Sequence, residues 1–236
     1  MKKYFDKIYR EGFQSFISEL EKRVENNEKT FIITANPETL MTGKENPDFD
    51  KILCSEETLI VPDGIGIVKA AKMLGYSVKE RVTGVEIAEE LFRIANEKKK
   101  SVYLFGAKKE VLERLVEKIE KHYKGIAISG YTDGYVTDRE AVFDEIVEKQ
   151  PDIVLVAYGI PVQEMLIAEH LNKFEKGIFV GVGGSFDVIS GTKRRAPKIC
   201  IKLNLEWLYR ILREPKRIGR FYRSNVKFIS QIKKMR

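Results

Sequence analysis

The sequence predicts an α/β fold, an open and mostly parallel sheet with helices on both faces, followed by a helical, basic C-terminal appendage. Three observations predict it. Short apolar runs rich in β-branched residues alternate with helical patterns along the chain. Most of these runs are continuously apolar, which is typical of parallel strands buried on both faces. The regular β–α alternation favours a wound, Rossmann-like sheet, and the last strand pattern ends before Pro197.

Six segments have the strand pattern and five have the helical one. The predicted strands are Thr30–Ala35, Thr58–Val61, Ser101–Phe105, Ile126–Ser129, Ile153–Tyr158 and Ile178–Val182. A first helix is expected where Phe5, Ile8, Phe13, Phe16, Ile17 and Leu20 fall on one face of a 3.6-residue period. Further helices are expected at Ile65–Leu74, Val85–Asn96, Lys108–Tyr123 and Asp138–Lys149, the last opened by a capping box from Thr137 to Glu140.

The C-terminal part has a different pattern. Ile201–Leu212 is predicted to be a helix that Pro215 ends, and Arg217–Ile232 mixes Lys and Arg with aromatic and aliphatic residues. We therefore divide the chain into an α/β catalytic domain, residues 1–196, and a membrane-associating helical appendage, residues 197–236.

The charge of the chain is unevenly distributed. The 236 residues carry a net charge of +7 and are 43% hydrophobic. From Lys193 to Arg236, fifteen Lys and Arg stand against Glu206 and Glu214, a net charge of +13, which leaves −6 for the rest. Such a tail attracts polyanions, whether phospholipid, nucleic acid or diphosphate.

The composition also narrows the class of protein. No run of about 18 apolar residues predicts a membrane span, and the charged N-terminus lacks the apolar core of a signal peptide, so a cytoplasmic location is expected. Cys54 and Cys200 suit reduced thiols. His122 and His170, the two histidines, have no ligand-like neighbours at metal spacing. Neither a metal nor a cofactor is expected.

Small and polar residues follow every predicted strand. In an open parallel sheet, ligands bind beyond the carboxyl ends of the strands. Six such loops together indicate a long polar ligand spread across one edge of the sheet. The residues offered there are Thr34, Asn36, Asp63, Gly64, Gly106, Tyr135, Gln163, Gly183, Gly184, Ser185 and Asp187.

Asp63 is the leading candidate for chemistry. It follows a buried strand and precedes Gly64 and an apolar helix. An aspartate there can cap the helix, or serve as a general base whose pKa is tuned by partial burial. The two roles are compatible. Asp133 and Asp187 are rival carboxylates, although Asp133-Gly134 is first of all a turn sequence.

Several other motifs have a structural and a functional interpretation. The glycines from Gly181 to Gly184 either pack at a turn or let backbone N–H groups approach a phosphate. Gln163 could donate to a ligand or simply begin a helix. Arg81 is a candidate for ligand binding only if the Thr83-Gly84 turn brings it back over the edge of the sheet where the strands end. For Asp48-Phe-Asp50, a D-x-D sequence, we favour a capped surface helix over a metal motif.

Taken together, the motifs resemble the WecG/TagA/CpsF glycosyltransferases, which include the N-acetylmannosaminyltransferases of wall teichoic acid synthesis. The resemblance covers roughly residues 30–220, whereas family members typically begin with a β-rich segment and this chain begins almost directly in a helix. The matching stretches are TANPETLM (34–41), VPDGIGIV (61–68), ERVTG (80–84), YGIPVQE (158–164), GVGGSFDVISGTKRRAP (181–197) and LEWLYRILREPKR (205–217).

The resemblance implies an inverting, metal-independent transfer from a UDP-sugar, typically UDP-N-acetylmannosamine, to undecaprenyl-diphosphate-linked N-acetylglucosamine. It implies enzyme action at the inner face of the bacterial cell membrane, and a homodimer or homotrimer. The family's catalytic aspartate matches Asp63. Its remaining site residues match Thr34, Asn36, Arg81 and Gln163, its nucleotide-contacting aspartate matches Asp187, and its C-terminal arginines match Arg210, Arg217 and Arg220.

Three alternatives stay open at the level of sequence. The basic tail could bind nucleic acid, although its interleaved aromatic and aliphatic residues favour an interfacial helix. A nicotinamide-dependent oxidoreductase is disfavoured because the first strand lacks the glycine fingerprint. Within the family, the donor could be UDP-glucose or UDP-N-acetylglucosamine, since loop details set sugar specificity.

Overall fold

The computed structural model describes residues 1–215 and 218–235, apart from the side chain of Arg220. It contains one six-stranded sheet in which every pairing is parallel, with the strand order β2-β1-β6-β5-β3-β4. The predicted parallel α/β fold is confirmed. The strands are β1 (Thr30–Ala35), β2 (Thr58–Pro62), β3 (Ser101–Gly106), β4 (Ala127–Thr132), β5 (Ile153–Ala157) and β6 (Ile178–Gly181).

Helices connect the strands and continue beyond the last one. Those of the α/β part are α1 (Lys2–Lys7), α2 (Phe13–Glu25), α3 (Pro37–Glu45), α4 (Pro47–Cys54), α5 (Ile65–Met73), α6 (Gly84–Lys98), α7 (Lys109–His122), α8 (Arg139–Lys149), α9 (Val162–His170) and α10 (Ser185–Ile189). After them come α11 (Lys198–Lys202), α12 (Glu206–Arg213) and α13 (Ile218–Lys234).

Alternate residues of the strands enter two separate cores, one on each face of the sheet. Ile32 and Val180 pack with α2, α6, α7 and α10 on one face. Phe31 and Phe179 pack with α1, α3, α4, α8, α9 and α13 on the other. Because a strand points successive side chains to opposite faces, only continuously apolar strands can supply both cores. This explains the strand pattern of the sequence.

The N-terminal segment differs from the single helix that its periodicity predicts. It forms two helices, because Ile8 leaves helical geometry and makes a parallel bridge to Ile60 of β2. The amide of Tyr9 donates to the carbonyl of Ile60, at 2.8 Å. The apolar residues predicted on one helical face are therefore divided between the two cores: Phe5 and Ile8 pack in one, and Phe16, Ile17 and Leu20 pack in the other.

Two local expectations in other helices also need correction. The cap of α8 is Asp138 rather than Thr137, and its side chain accepts from the amide of Ala141. The helix expected over residues 201–212 is broken between α11 and α12, where Asn204 adopts a positive φ of 60°. Pro215 lies between α12 and α13, as expected from its effect on a helix. No helix among residues 1–215 and 218–235 is long and apolar enough to cross a membrane.

Candidate active site at the carboxyl edge of the sheet

Asp63 lies directly beyond the carboxyl end of edge strand β2. Its amide donates to the carbonyl of Ala35 at 2.8 Å, which extends the β1–β2 ladder by one residue. Gly64, with φ 107°, caps α5 and no side chain caps that helix. The capping role considered for Asp63 is therefore wrong. Within the described part of the chain, no hydrogen bond to its carboxylate is formed, so the group is available to a ligand.

Charged groups of both signs surround this carboxylate. Burial raises the pKa of Asp63 to about 6, while Arg210 and Arg81 lower it and Glu206 and Glu86 raise it. The residue as a whole keeps some exposure to solvent. A carboxylate with this pKa is ionised at neutral pH and is a stronger base than an ordinary aspartate, as general-base catalysis requires.

Arg81 and Arg210 are linked through one carboxylate of the appendage. Glu206 accepts from Arg81 Nη1 at 3.2 Å and from Arg210 Nη2 at 2.8 Å. The segment that carries Arg81 is held beside β2, since the amide of Val82 donates to the carbonyl of Pro62. Thr83 and Gly84 do not form the expected turn, because Thr83 caps α6 and Gly84 is its first residue. Arg81 nevertheless lies close enough to Asp63 to lower its pKa.

The ends of β1 and β6 meet at the start of α6. A Cβ on Gly84 would lie 3.4 Å from Ser185 Oγ and 3.7 Å from Thr34 Oγ1. Ser185 and Thr34 are themselves nearly buried. Two residues expected in the site, separated by about 150 positions, are therefore neighbours across the edge.

Gln163 ties the loops after β5 and β6 together. Its Oε1 accepts from the amides of Gly159 and Gly183, at 2.9 and 3.0 Å. Its Nε2 donates to buried Glu164 at 2.7 Å. The amide lies so close over Gly181 that a Cβ there would be 2.5 Å from Nε2. The carbonyl end of Gln163 is thus occupied by backbone, and burial raises the pKa of Glu164 to about 7.

A cavity of about 620 Å³ lies between the α10 region and α12. Five cations and two carboxylates line it, together with apolar and small residues. Asp187 adjoins it through Lys193, whose Nζ lies 3.2 Å from both the Asp187 and the Glu214 carboxylates. The lining is Gly184, Val188, Thr192, Lys193, Arg194, Arg195, Ala196, Glu206, Tyr209, Arg210, Arg213 and Glu214.

The remaining expected residues are more dispersed. Asn36 caps α3 and its Oδ1 accepts from the amides of Glu38 and Thr39. Gly106 is required by packing, since a Cβ would lie 2.5 Å from the Ala157 carbonyl oxygen. Tyr135 is 73% exposed and follows β4, at the opposite edge of the sheet from β2. Arg217 and the side chain of Arg220 lie outside the described residues.

Two motifs with metal-ligating residues have other partners. In the D-x-D sequence, Asn46 caps α4, and Asp50 binds Lys3 and Tyr4 of α1. The expected capped helix is thereby confirmed. His170 does have a carboxylate neighbour, contrary to its sequence surroundings, because its Nε2 lies 2.8 Å from Glu140. Together with Glu169, these two residues form a cluster of side chains of the kind that can ligate a metal. Glu169 is adjacent in sequence, but Glu140 is 30 positions away and meets His170 only through the fold.

Sequence reasoning missed several charged residues of the cavity. Lys193, Arg194, Arg195 and Arg213 line it, but the sequence assigns them no role beyond the positive charge of the tail. Glu206 also lines it, and the sequence shows it only as one of two acids in that tail. One signal was present: these acids interrupt an otherwise basic stretch, and a minority charge in such a stretch usually has a specific partner.

Comparison with known proteins points to one family. The sequence model described as the glycosyl transferase WecG/TagA/CpsF family matches residues 6–236. That match extends beyond residues 30–220, over which the motifs were recognised. It therefore includes the end of α1, the whole of α2 and the appendage.

Individual relatives are similar along most of their length. An N-acetylglucosaminyldiphosphoundecaprenol N-acetyl-beta-D-mannosaminyltransferase of Bacillus spizizenii is 42% identical over 204 residues, covering 86% of this chain and 79% of its own. A protein of the same name from Bacillus subtilis is 42% identical over 202 residues, covering 85% and 78%. One from Staphylococcus aureus is 38% identical over 191 residues, covering 80% and 74%.

Proposed function

This chain belongs to the WecG/TagA/CpsF family of glycosyltransferases, and we propose that it transfers N-acetylmannosamine from a UDP-sugar to undecaprenyl-diphosphate-linked N-acetylglucosamine. The names of its relatives state the transferred sugar and the acceptor. The observation that supports the chemistry best is Asp63, an ionisable base beyond β2 with Arg81 and Arg210 close enough to influence its pKa.

Asp63 is the general base of the proposed inverting reaction. Its carboxylate removes the proton from the acceptor hydroxyl while the hydroxyl oxygen attacks the anomeric carbon. The bond between that carbon and the donor's phosphate oxygen breaks on the opposite face, and the bonding electrons leave with UDP. One base suffices for this direct displacement, because no covalent sugar–enzyme intermediate needs to be resolved.

Guanidinium groups compensate the charge that develops on the leaving diphosphate. Arg210 lines the cavity together with Lys193, Arg194, Arg195 and Arg213. Arginine stays charged at any working pH and can bind a phosphate through two nitrogens. Preorganised donors of this kind stabilise developing negative charge. Transfer is expected to persist in the presence of EDTA, and loss of activity on chelation would contradict this part of the proposal.

A donor panel with a soluble lipid-diphosphate N-acetylglucosamine acceptor tests the proposed reaction. We expect turnover with UDP-N-acetylmannosamine, and turnover about 10³-fold lower when Asp63 is replaced by Asn. Preferred turnover of UDP-glucose or UDP-N-acetylglucosamine would retain the chemistry and change the donor. Full activity of Asp63→Asn would refute the role of Asp63.

The appendage, residues 197–236, supplies the proposed contact with an anionic membrane surface. Its helices expose apolar side chains between basic ones: Ile199 and Leu212 are 72% exposed and Tyr222 is 70% exposed. On α13 the opposite face is anchored to the body through Phe228 and Ile232. An apolar stripe flanked by Lys and Arg suits the boundary between lipid headgroups and acyl chains. We place the enzyme at the inner face of the bacterial cell membrane.

Vesicle flotation separates the membrane proposal from nucleic-acid binding. Vesicles that contain anionic phospholipid should bind the wild-type protein, and Leu212→Glu with Tyr222→Glu should weaken that binding. The variant Lys109→Glu with Lys121→Glu on α7 changes net charge by more and serves as the control. Retention by DNA with no vesicle binding would favour the nucleic-acid alternative.

The division into a catalytic domain, residues 1–196, and an appendage is likewise a proposal. Removal of residues 197–236 is expected to abolish transfer, because Arg210 is lost, while thermal unfolding stays cooperative. Transfer that survived the removal would contradict it. A homodimer or homotrimer stays a prediction, which sedimentation velocity with and without detergent checks.

A further inference from the structure

Glu206 has an unusual position for an acid in the basic appendage. Its side chain is 9% exposed and bridges two arginines, one from the body and one from its own helix. Burial alone would raise the pKa of Glu206, but the charges and hydrogen bonds of Arg210 and Arg81 outweigh it and lower the pKa. The Glu206 carboxylate is therefore ionised at neutral pH.

The bridge leaves part of each arginine's hydrogen-bonding capacity unused. Arg81 gives Nη1 to Glu206 and Nη2 to the carbonyl of Ile201, at 3.2 and 3.4 Å. Among the described residues, Arg210 donates through Nη2 to Glu206 alone, and its side chain is 48% exposed on the cavity. An ion pair through one nitrogen restrains the guanidinium, while its other nitrogens can donate to a ligand.

We propose that Glu206 is a positioning residue, which orients Arg81 and Arg210 beside Asp63 for the diphosphate of the donor. The inference rests on the proposed function for the identity of that ligand. The competing possibility is that Glu206 imitates a phosphate and must be displaced. Its burial and its simultaneous contacts with both arginines favour positioning, since displacement would break two ion pairs of a buried carboxylate at once.

Glu214 provides a matched comparison within the same appendage. It is the other acid after Lys193, and it also pairs with a cation next to the cavity. However, the charges of the described residues that act on the pKa of Asp63 are those of Arg210 and Glu206 on α12, Arg81 before α6 and Glu86 on α6. Glu206→Gln and Glu214→Gln therefore make the same change in net charge, but only the first one alters the surroundings of Asp63.

The experiment measures UDP binding by calorimetry and transfer kinetics in the full-length protein. Glu206→Gln is expected to weaken UDP binding and to lower kcat, each by about tenfold, as when a hydrogen-bonded supporting residue is lost. Glu206→Asp retains the charge and should recover part of both losses. Glu110→Gln, which removes an exposed Glu–Arg pair of the same i,i+4 spacing on α7, should leave both unchanged.

A second readout follows the titration of Asp63 by carboxyl ¹³C NMR, assigned with Asp63→Asn. In Glu206→Gln its proton affinity should fall about threefold or more, because one facing negative charge is removed. In Glu214→Gln it should not move. Tighter UDP binding by Glu206→Gln would instead establish displacement, and an Asp63 titration unchanged from wild type would overturn the inference.

Failure of the proposed function is distinguishable from failure of this inference. A wild-type protein that neither bound UDP nor transferred sugar would refute the proposed donor. The Asp63 titration in Glu206→Gln against Glu214→Gln would still decide the role of Glu206, since it needs no substrate. Should Glu206→Gln fail to fold, UDP binding by Glu206→Asp decides it: binding should weaken, because the shorter side chain cannot hold both arginines as Glu206 does, and binding equal to wild type would overturn the inference.

Discussion

The body and the appendage of this protein are held together in different ways. The body has two apolar cores, in which residues such as Ile32 and Phe179 are completely buried. From Pro197 onwards, the buried described residues are Glu206, Ile211, Phe228 and Ile232. The appendage is thus attached by a small apolar contact and by ion pairs such as Arg81–Glu206. Burial of apolar side chains stabilises the fold of the body, whereas ion pairs hold the appendage against the body at the candidate site.

The body and the appendage also contribute different groups to the proposed reaction. The body provides the base, Asp63, and backbone-supported loops around Gln163. The appendage provides Arg210 and the carboxylate that links it to Arg81. The candidate site therefore needs both regions: the body carries the base, and the appendage completes the cation-lined cavity close to it. The following predictions test this division, from the largest expected effect to the smallest.

Asp63→Asn should have the largest effect, a loss of transfer of about 10³-fold, because general-base catalysis contributes on that order. Its fold should be retained. The pKa of Asp63 lies above its usual value, so protons favour the folded state, and this contribution is lost as pH rises from about 4 through about 6. The neutral Asn should therefore unfold no more readily than wild type at pH 8, in a chemical denaturation experiment.

Asp48→Asn is the control for this prediction, because Asp48 is exposed on α4 and pairs with Lys51. It should transfer sugar at the wild-type rate. If Asp63→Asn kept its activity, the base would have to lie elsewhere, and the proposed share of the body in the chemistry would be wrong.

Arg210→Ala should lower kcat by about 10²-fold, as the removal of one donor to a developing anion does. Arg114→Ala, on the exposed surface of α7 in an equivalent i,i+4 pair, should not. Steady-state kinetics with saturating acceptor measure both. Equal rates for the two variants would mean that the appendage only anchors the protein.

The pH profile should show an acid limb near the pKa of Asp63, about 6. Transfer needs the ionised carboxylate, so kcat/KM should be about tenfold lower at pH 5 than on its plateau. Arg210 lowers the pKa of Asp63, and its replacement by Ala should move the limb to higher pH. An acid limb at the same pH in Arg210→Ala as in wild type would contradict the proximity of Arg210 to Asp63.

Phe228→Ala should have the smallest effect on the body. Phe228 is 2% exposed and lies beside Phe5, with ring centroids 6.5 Å apart. Its truncation should release α13 and accelerate proteolysis there, with little change in the Tm of the body. Phe143→Ala, in the core between α8 and β3, should lower that Tm markedly, since such core truncations cost about 3–5 kcal/mol. An equal fall in Tm for Phe228→Ala and Phe143→Ala would show that α13 and the body unfold as one cooperative unit.

Local patterns predicted much of the fold because they act within short windows of sequence. The run from Thr30 to Ala35 forms β1 with its predicted limits. The ends of the other five strands lie within about one residue of the predicted ones, except that β4 continues about three residues further. Continuous apolarity is enough to indicate a strand buried on both faces. The position of Asp63 followed in the same way, since a carboxyl strand end in a parallel sheet faces the ligand edge.

Only the tertiary structure decided which distant residues meet. Ile8 leaves its helix because β2 offers an unpaired edge, which no periodicity records. Arg81 and Glu206 are 125 positions apart, and their contact depends on how α12 settles against the body. The sequence by itself determined the strands, their parallel arrangement and the candidate base. The charges around that base depend on long-range packing, because electrostatic interactions follow distance in space rather than separation along the chain.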